Sequence, residues 1–177
     1  MPTYQIDSQH TGVHFKVRHM MISNVKGEFG RLTGSVQFDP SNLAASRVEA
    51  SIESASVNTR EPQRDSHLKS HDFLDVGRYP KITFGSTKIV STGVDSYLIT
   101  GDLTIRDVTR QVILRVDSVT PEIKDPNGLY RLGASASTRI ERKDFGLTWN
   151  AVLESGGFVV GDDVDITIDV ELVRKAE

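Results

Sequence analysis

The chain contains no cysteine. That absence excludes disulfide cross-links, a thiolate nucleophile, and zinc or iron–sulfur centres held by cysteine. There is no basic excess: 21 lysines and arginines stand against 24 aspartates and glutamates, a formal net charge of −3. Nucleic acid is therefore not an expected partner, because no cation surplus is available to neutralise phosphates. No apolar run approaches the roughly 20 residues of a helical membrane span, so no stable membrane insertion is expected. The opening MPTYQIDSQH lacks the basic segment and apolar stretch of a secretory signal. It points to a soluble, cytoplasmic protein. No G-x-S-x-G elbow, P-loop or G-x-G-x-x-G is present, which removes the signatures of triad, nucleotide and dinucleotide chemistry. Aromatic residues are scarce, at 7%.

What the 177 residues do contain is alternation with a period of two. Val13, Phe15, Val17 and His19 share one face of a strand, opposed by His14, Lys16 and Arg18. Leu32, Gly34, Val36 and Phe38 form a second such face, ending at the turn Asp39-Pro40-Ser41-Asn42. Val48, Ala50 and Ile52 follow, then Ile82 and Phe84. Tyr97, Ile99, Gly101, Leu103 and Ile105 come next, and after them Val108, Val112, Leu114 and Val116. A turn at Asp125-Pro126-Asn127-Gly128 leads to Leu132, Ala134, Ala136 and Ile140. Val164, Ile166, Ile168, Val170 and Leu172 alternate cleanly with acids and threonine. About eight one-faced strands in antiparallel style leave exposed edges unless the sheet closes on itself. The expected fold is all-β: one domain over residues 1–177, built as an extended eight-stranded antiparallel barrel with a short helical segment near residues 61–75.

Small residues interrupt the inward faces: Gly34, Ala50, Gly101, Ala134 and Ala136, with Ser54 and Ser86 in line. Eight-stranded barrels are either filled by side chains or hold one small ligand. The small residues fit a ligand cavity, and the glycines fit equally well as points of strand bending.

The segment TREPQRDSHLKSHDFLDVGRYPKITF, Thr59 to Phe84, holds the helical candidate. Thr59 or Asp65 can cap it, Pro62 suits its first turn, and Gly77 and Pro80 end it. His67 and His71 have the i, i+4 spacing of a metal pair, but Leu68 stands where a zinc protease has glutamate. Asp65, Asp72 and Asp75 show no separated acid–base pair. Neither a metal nor any other cofactor is expected, and the chain is not expected to be an enzyme.

Ordered motifs identify the chain more closely. D-S-Q-H-T-G-V-H-F-K-V-R-H runs from Asp7 to His19, V-K-G-E-F from Val25 to Phe29, and N-T-R from Asn58 to Arg60. R-D-S-H-L-K-S-H-D-F-L-D spans Arg64 to Asp75, and Y-P-K-I-T-F spans Tyr79 to Phe84. G-D-L-T-I-R-D-V-T-R covers Gly101 to Arg110, and R-K-D-F-G covers Arg142 to Gly146. In this order they resemble the YceI-like family along nearly the whole chain. The resemblance implies a lipocalin-like barrel whose hydrophobic pore holds a long-chain isoprenoid or fatty amphiphile, of quinone or polyprenyl phosphate type, often in a homodimer. Two features depart from the family pattern. Asp107 stands where glycine is usual before V-T, a turn position where aspartate tolerates the left-handed conformation. His71 stands where an acidic or polar residue is frequent. Many relatives are exported, whereas the N-terminal residues here show no signal.

On that reading the tail site is the inward face: Phe15, Val17, Leu32, Val36, Phe38, Ile52, Phe84, Ile99, Leu103, Leu114 and Ile168. These residues are also what an ordinary core uses. His19 is the polar member of an apolar face. Arg18, Arg142, Lys143 and Trp149 are the candidate contacts for a lipid head group, which needs donors when buried. Phe145 and Trp149 stand either at a pore mouth or as a plug. Phe73 and Leu74 anchor the polar helix as a cover or side wall. Two alternatives remain open at this stage: an enzyme acting on an isoprenoid lipid through His19 or His67, and a self-packed interaction protein with a filled barrel.

Overall fold

The computed structural model describes residues 1–176. Its strands are β1 (Thr3–Ile6), β2 (Gly12–His19), β3 (Ser23–Phe29), β4 (Leu32–Gln37), β5 (Arg47–Glu53), β6 (Val57–Asn58), β7 (Lys81–Gly93), β8 (Ser96–Ile105), β9 (Val108–Asp117), β10 (Ile123–Lys124), β11 (Tyr130–Glu141) and β12 (Val160–Arg174). Among the described residues there is one α-helix, α1, spanning Pro62–Lys69.

The strand order β11-β9-β8-β7-β5-β4-β1-β12 returns to its start through the β11–β12 pairing, so the sheet is a closed eight-stranded antiparallel barrel. Three staves are broken. β12 pairs with β1 at its C-terminal end and with β2 over the rest, so β1 and β2 are one stave interrupted by the 3₁₀ turn Ser8–His10. β3 continues into β4, and β5 continues into β6, because β3 pairs with β2 and β6 while β4 pairs with β1 and β5. Closure satisfies the edge groups that the alternating sequence would otherwise expose.

One end of the barrel, where β2, β8, β11 and the start of β12 meet, carries α1 and the segment between β11 and β12. That segment opens with the 3₁₀ turn Arg142–Phe145. Phe145 is 2% exposed and packs with Ile82, Ile105, Val112, Ile140 and Leu147. It belongs to the packed core beneath this turn and does not line the cavity, so it is not part of a mouth. At the opposite end Tyr4, Ile6, Leu132 and Leu172 form a second packed cluster. Burial with a hydrogen bond from its hydroxyl to Glu122 (2.8 Å) pushes Tyr4 up to about 12.

The left-handed residue of the β8–β9 turn is Arg106 (φ 57°), not Asp107 as the family pattern suggested. Arg106 also donates to the carbonyls of His71 and Phe73, both at 3.3 Å, tying the post-helix loop to this hairpin.

Arg131 joins three acids that lie far apart in sequence: Asp125 (2.7 Å), Asp7 (2.7 Å) and Glu171 (2.9 Å). Hydrogen bonds from His10 and then Arg131 hold Asp7 down at about 2, and Arg131 lowers Asp125 as well. Carboxyls depressed in the fold stabilise it above their unfolded value of about 4 and lose that contribution as pH falls through the folded value. His10, raised by its bond to Asp7, contributes in the opposite sense, below its ordinary value and until pH rises through the raised one. The thermal-stability difference between wild type and Arg131→Met is therefore expected to shrink as pH falls from about 4 to about 2. A difference independent of pH across that window would refute the network.

Candidate functional site

A cavity of about 670 Å³ runs inside the barrel. It lies within the roughly 300–1,000 Å³ typical of small-molecule pockets. Phe15, Val17, His19, Leu32, Val36, Phe38, Ile52, Phe84, Ile99, Leu103, Leu114 and Ile168 all line it. Most of these side chains are half-buried rather than buried. They point inward by strand alternation, so the surface they retain is cavity wall.

The small residues divide by role. Ala50, Ala134 and Ala136 face the cavity, and their short side chains leave its width. Gly101 does not: a Cβ there would collide with the Phe84 ring and lie 2.6 Å from the Gly85 carbonyl oxygen. Gly27 is likewise covered by the ring of Phe15. Gly34 (φ 154°) lets its strand approach the backbone of Glu49 and Ala50. Ser54 donates to the Tyr79 carbonyl (2.7 Å) and Ser86 accepts from the Val48 amide (2.8 Å). Alanine thus opens the lumen, while the glycines serve close approach.

Polar lining residues gather at the α1 end: Arg18, His19, Glu61, Gln63, Arg64, His67, Arg142 and Trp149. Alternation sends Arg18 and His19 to opposite faces of β2, yet both reach the cavity because β2 ends here. The helix is shorter than the sequence suggested. Glu61, not Thr59 or Asp65, caps it by accepting from the Arg64 amide (2.8 Å), and it stops at Ser70. His71 lies beyond its last turn and is exposed, so the i, i+4 histidine pair does not exist.

The helix sequence PQRDSHLK has no apolar stripe, and polar contacts fasten it. Buried Thr59 is the hub. Its amide and hydroxyl donate to Asp65, and its hydroxyl and carbonyl oxygens accept from Arg64 at 2.8 Å. His67 bonds Asp72 (2.8 Å) and sits edge-on to Phe73 and Trp149, with centroids 5.0 and 4.6 Å away. Buried Phe73 and half-buried Leu74 supply the apolar foot. Phe73→Ala is expected to cost about 3 kcal/mol and to loosen Trp149 and α1 together. Thermal melts and amide exchange over residues 60–75 test this; unchanged protection there would remove the anchoring role.

Arg142 is 3% exposed and contacts backbone instead of presenting a free head-group donor. It donates to the carbonyls of Leu147 (2.6 Å), Gly161 (2.8 Å), Trp149 (2.9 Å) and Val160 (3.2 Å). Burial lowers its pKa, with Asp162 opposing from 3.8 Å. Lys143 corrects the sequence expectation more fully. It is half-exposed, pairs with Asp162 at 3.2 Å and does not line the cavity. Glu61, Gln63 and Arg64 are polar lining groups that sequence reasoning did not assign, and His67 entered it only as a metal or acid–base candidate; the E-P-Q-R-D-S-H run held them, but only the docking of α1 turns them toward the lumen.

Among the described residues, Asp7, His10 and Glu171 bring potential metal-ligand atoms within 4.8 Å of one another. That cluster lies outside the cavity lining and already holds the Arg131 guanidinium, which neutralises it.

A closed antiparallel barrel around an apolar cavity, polar at one end, defines a lipocalin-like class of binding barrel. The YceI-like domain matches residues 4–172, and the chain belongs to the YceI-like family. It is 38% identical over 174 residues to a UPF0312 protein of Azotobacter vinelandii, covering 97% of this chain and 87% of that one. A UPF0312 protein of Ectopseudomonas mendocina is 41% identical with the same coverage. The crystal structure of the Campylobacter jejuni YCEI protein superposes with a TM-score of 0.72 at 32% identity, over 90% of each chain. A polyisoprenoid binding domain from Saccharophagus degradans shares the fold, with a TM-score of 0.70 at 14% identity, over 97% of this chain and 98% of that one.

Proposed function

We propose that this protein is a non-catalytic carrier of a long-chain polyisoprenoid or similar amphiphile, with the tail along the barrel axis and the head group at the α1 end. The carrying observation is the distribution of polarity: aliphatic and aromatic side chains line the length of the cavity, while its charged residues collect at one end. Each buried methylene contributes about 0.8 kcal/mol, so ten give roughly 8 kcal/mol before ordering costs are subtracted. Arg18, His19, Gln63, Arg64 and His67 supply head-group donors. The polyisoprenoid binding domain of Saccharophagus degradans, similar in fold, supports the ligand class. A filled, self-packed barrel does not fit a cavity of about 670 Å³.

Native mass spectrometry of freshly purified protein, followed by solvent extraction, tests the reading. A stoichiometric amphiphile with an isoprenoid mass series is the expected result. An apo mass that persists after incubation with polyprenyl phosphate and with an isoprenoid quinone would overturn it.

A further inference from the structure

We propose that two loop tips at the cavity's polar end form a docking surface for an anionic phospholipid bilayer. Met20-Met21-Ile22 and Phe158 enter the boundary between head groups and acyl chains, and Arg18, Lys16 and Lys26 face the lipid phosphates. The purpose of docking rests on the lipid-carrying reading; the contact itself does not.

The turn between β2 and β3 carries Met21 and Ile22 at 60% and 75% exposure. Beside it, the loop before β12 carries Val152 and Phe158 at 77% and 52%. These apolar side chains are displayed by two turns that are fastened together. The Met20 amide donates to the Val159 carbonyl (2.8 Å), Arg18 donates to the Met21 carbonyl (3.1 Å), and the Met21 thioether lies against Gly157. Val152 and Phe158 face each other across a bridge of their own loop. The surface is therefore pre-formed, and Arg18, His19 and Val159 beside it line the cavity.

Charge complementarity selects the occupant. Behind the apolar tip the outward face of the hairpin is cationic: Arg18 lies two residues from Met20, and Lys16 and Lys26 lie four from Met20 and Ile22. At about 3.3 Å per residue, these charges stand roughly 7 and 13 Å behind the tip. An interfacial apolar face sinks about 5–10 Å, which sets Arg18 level with the phosphates and the lysines just above. Lys16 and Lys26 are direct cross-strand partners, a like-charge pairing that disfavours the sheet. Lys16 has only a long 3.8 Å contact to Asp165, and Lys26 has no ion pair among the described residues. Of the neighbouring acids, Asp162 is paired with Lys143 (3.2 Å), and Asp163 and Asp165 with Arg139 (4.0 and 2.6 Å); exposed Glu154 on the adjacent tip has no ion pair among the described residues, and the three cations of the hairpin outweigh it.

The test is co-sedimentation with vesicles of phosphatidylcholine, alone or as two parts to one part phosphatidylglycerol. Uptake of a short, soluble isoprenol is followed in parallel by native mass spectrometry. Wild type is expected to bind the mixed vesicles roughly a hundredfold more tightly than the neutral ones, and Lys16→Gln and Lys26→Gln to lose about fivefold each on the mixed vesicles. Met21→Ser with Ile22→Ser and Phe158→Ser is expected to lose roughly tenfold or more, with isoprenol uptake unchanged. If wild type takes up isoprenol and ignores both vesicles, the docking inference falls and the carrier reading stands. Vesicle binding without isoprenol uptake has the reverse meaning. A triple-serine variant that turns a dimer into a monomer while binding vesicles normally makes the tip a self-interface and also overturns the proposal.

Discussion

Replacing Ala134 and Ala136 together by tryptophan is expected to abolish ligand retention while leaving the barrel closed. Both alanines lie on β11 and face the cavity, Ala136 opposite Val116 on β9 and Ile168 on β12. An indole placed there has open lumen in front of it, so the usual strain of overpacking a filled core does not apply. The ligand tail loses that space. Displacing even three methylenes at about 0.8 kcal/mol each weakens binding by roughly fiftyfold, and two indoles displace more. Extraction and native mass spectrometry read the retention, and thermal melts confirm the fold. Full retention in a folded double variant would show that the ligand does not lie in the lumen. Ser135→Trp, on the outward face between them, is the matched control.

Arg142→Met is expected to give the largest loss of stability of any single substitution at this end of the barrel, about 3–5 kcal/mol. The guanidinium gathers four carbonyls, from Leu147, Trp149, Val160 and Gly161, and so holds both ends of the segment that frames the mouth. Methionine matches the stem but leaves those acceptors short of donors. The Val160 carbonyl keeps a partner, from the Asn150 amide at 2.7 Å. The corresponding fall in melting temperature is roughly 10 °C. Arg142→Lys is expected to recover little, since a point ammonium cannot span four carbonyls as the planar fork does. Amide exchange over residues 147–161 should rise selectively. A melting temperature within about two degrees of wild type would mean the segment is held by something else.

The inward apolar face was legible in the sequence because strand geometry enforces it. Alternation sends Phe15, Val17, Ile99, Leu103 and Leu114 to one side whatever the rest of the chain does, and eight one-faced strands bury that side only by closing. The ambiguity over small residues was also real, since alanine and glycine read alike on an inward face. Tertiary packing separated them, putting the Phe84 and Phe15 rings over Gly101 and Gly27 and leaving Ala134 and Ala136 open. The same holds for the turn before Val108, where the family pattern pointed to Asp107 and the left-handed residue is Arg106.

The polar end followed a different logic. In the sequence, Arg142 and Lys143 of R-K-D-F-G stand alike as candidate head-group contacts. The fold buries one at 3% exposure and leaves the other half-exposed beside Asp162. Period-two patterning thus determined the strands, their interior face and the apolar character of its lining, because each is a property of single strands. Which arginine is structural, how α1 turns Arg64 and His67 inward, and where Arg131 collects its three acids were decided only by tertiary structure. Those arrangements depend on donors and acceptors from distant segments meeting at about 3 Å, a condition that no periodicity along one segment encodes.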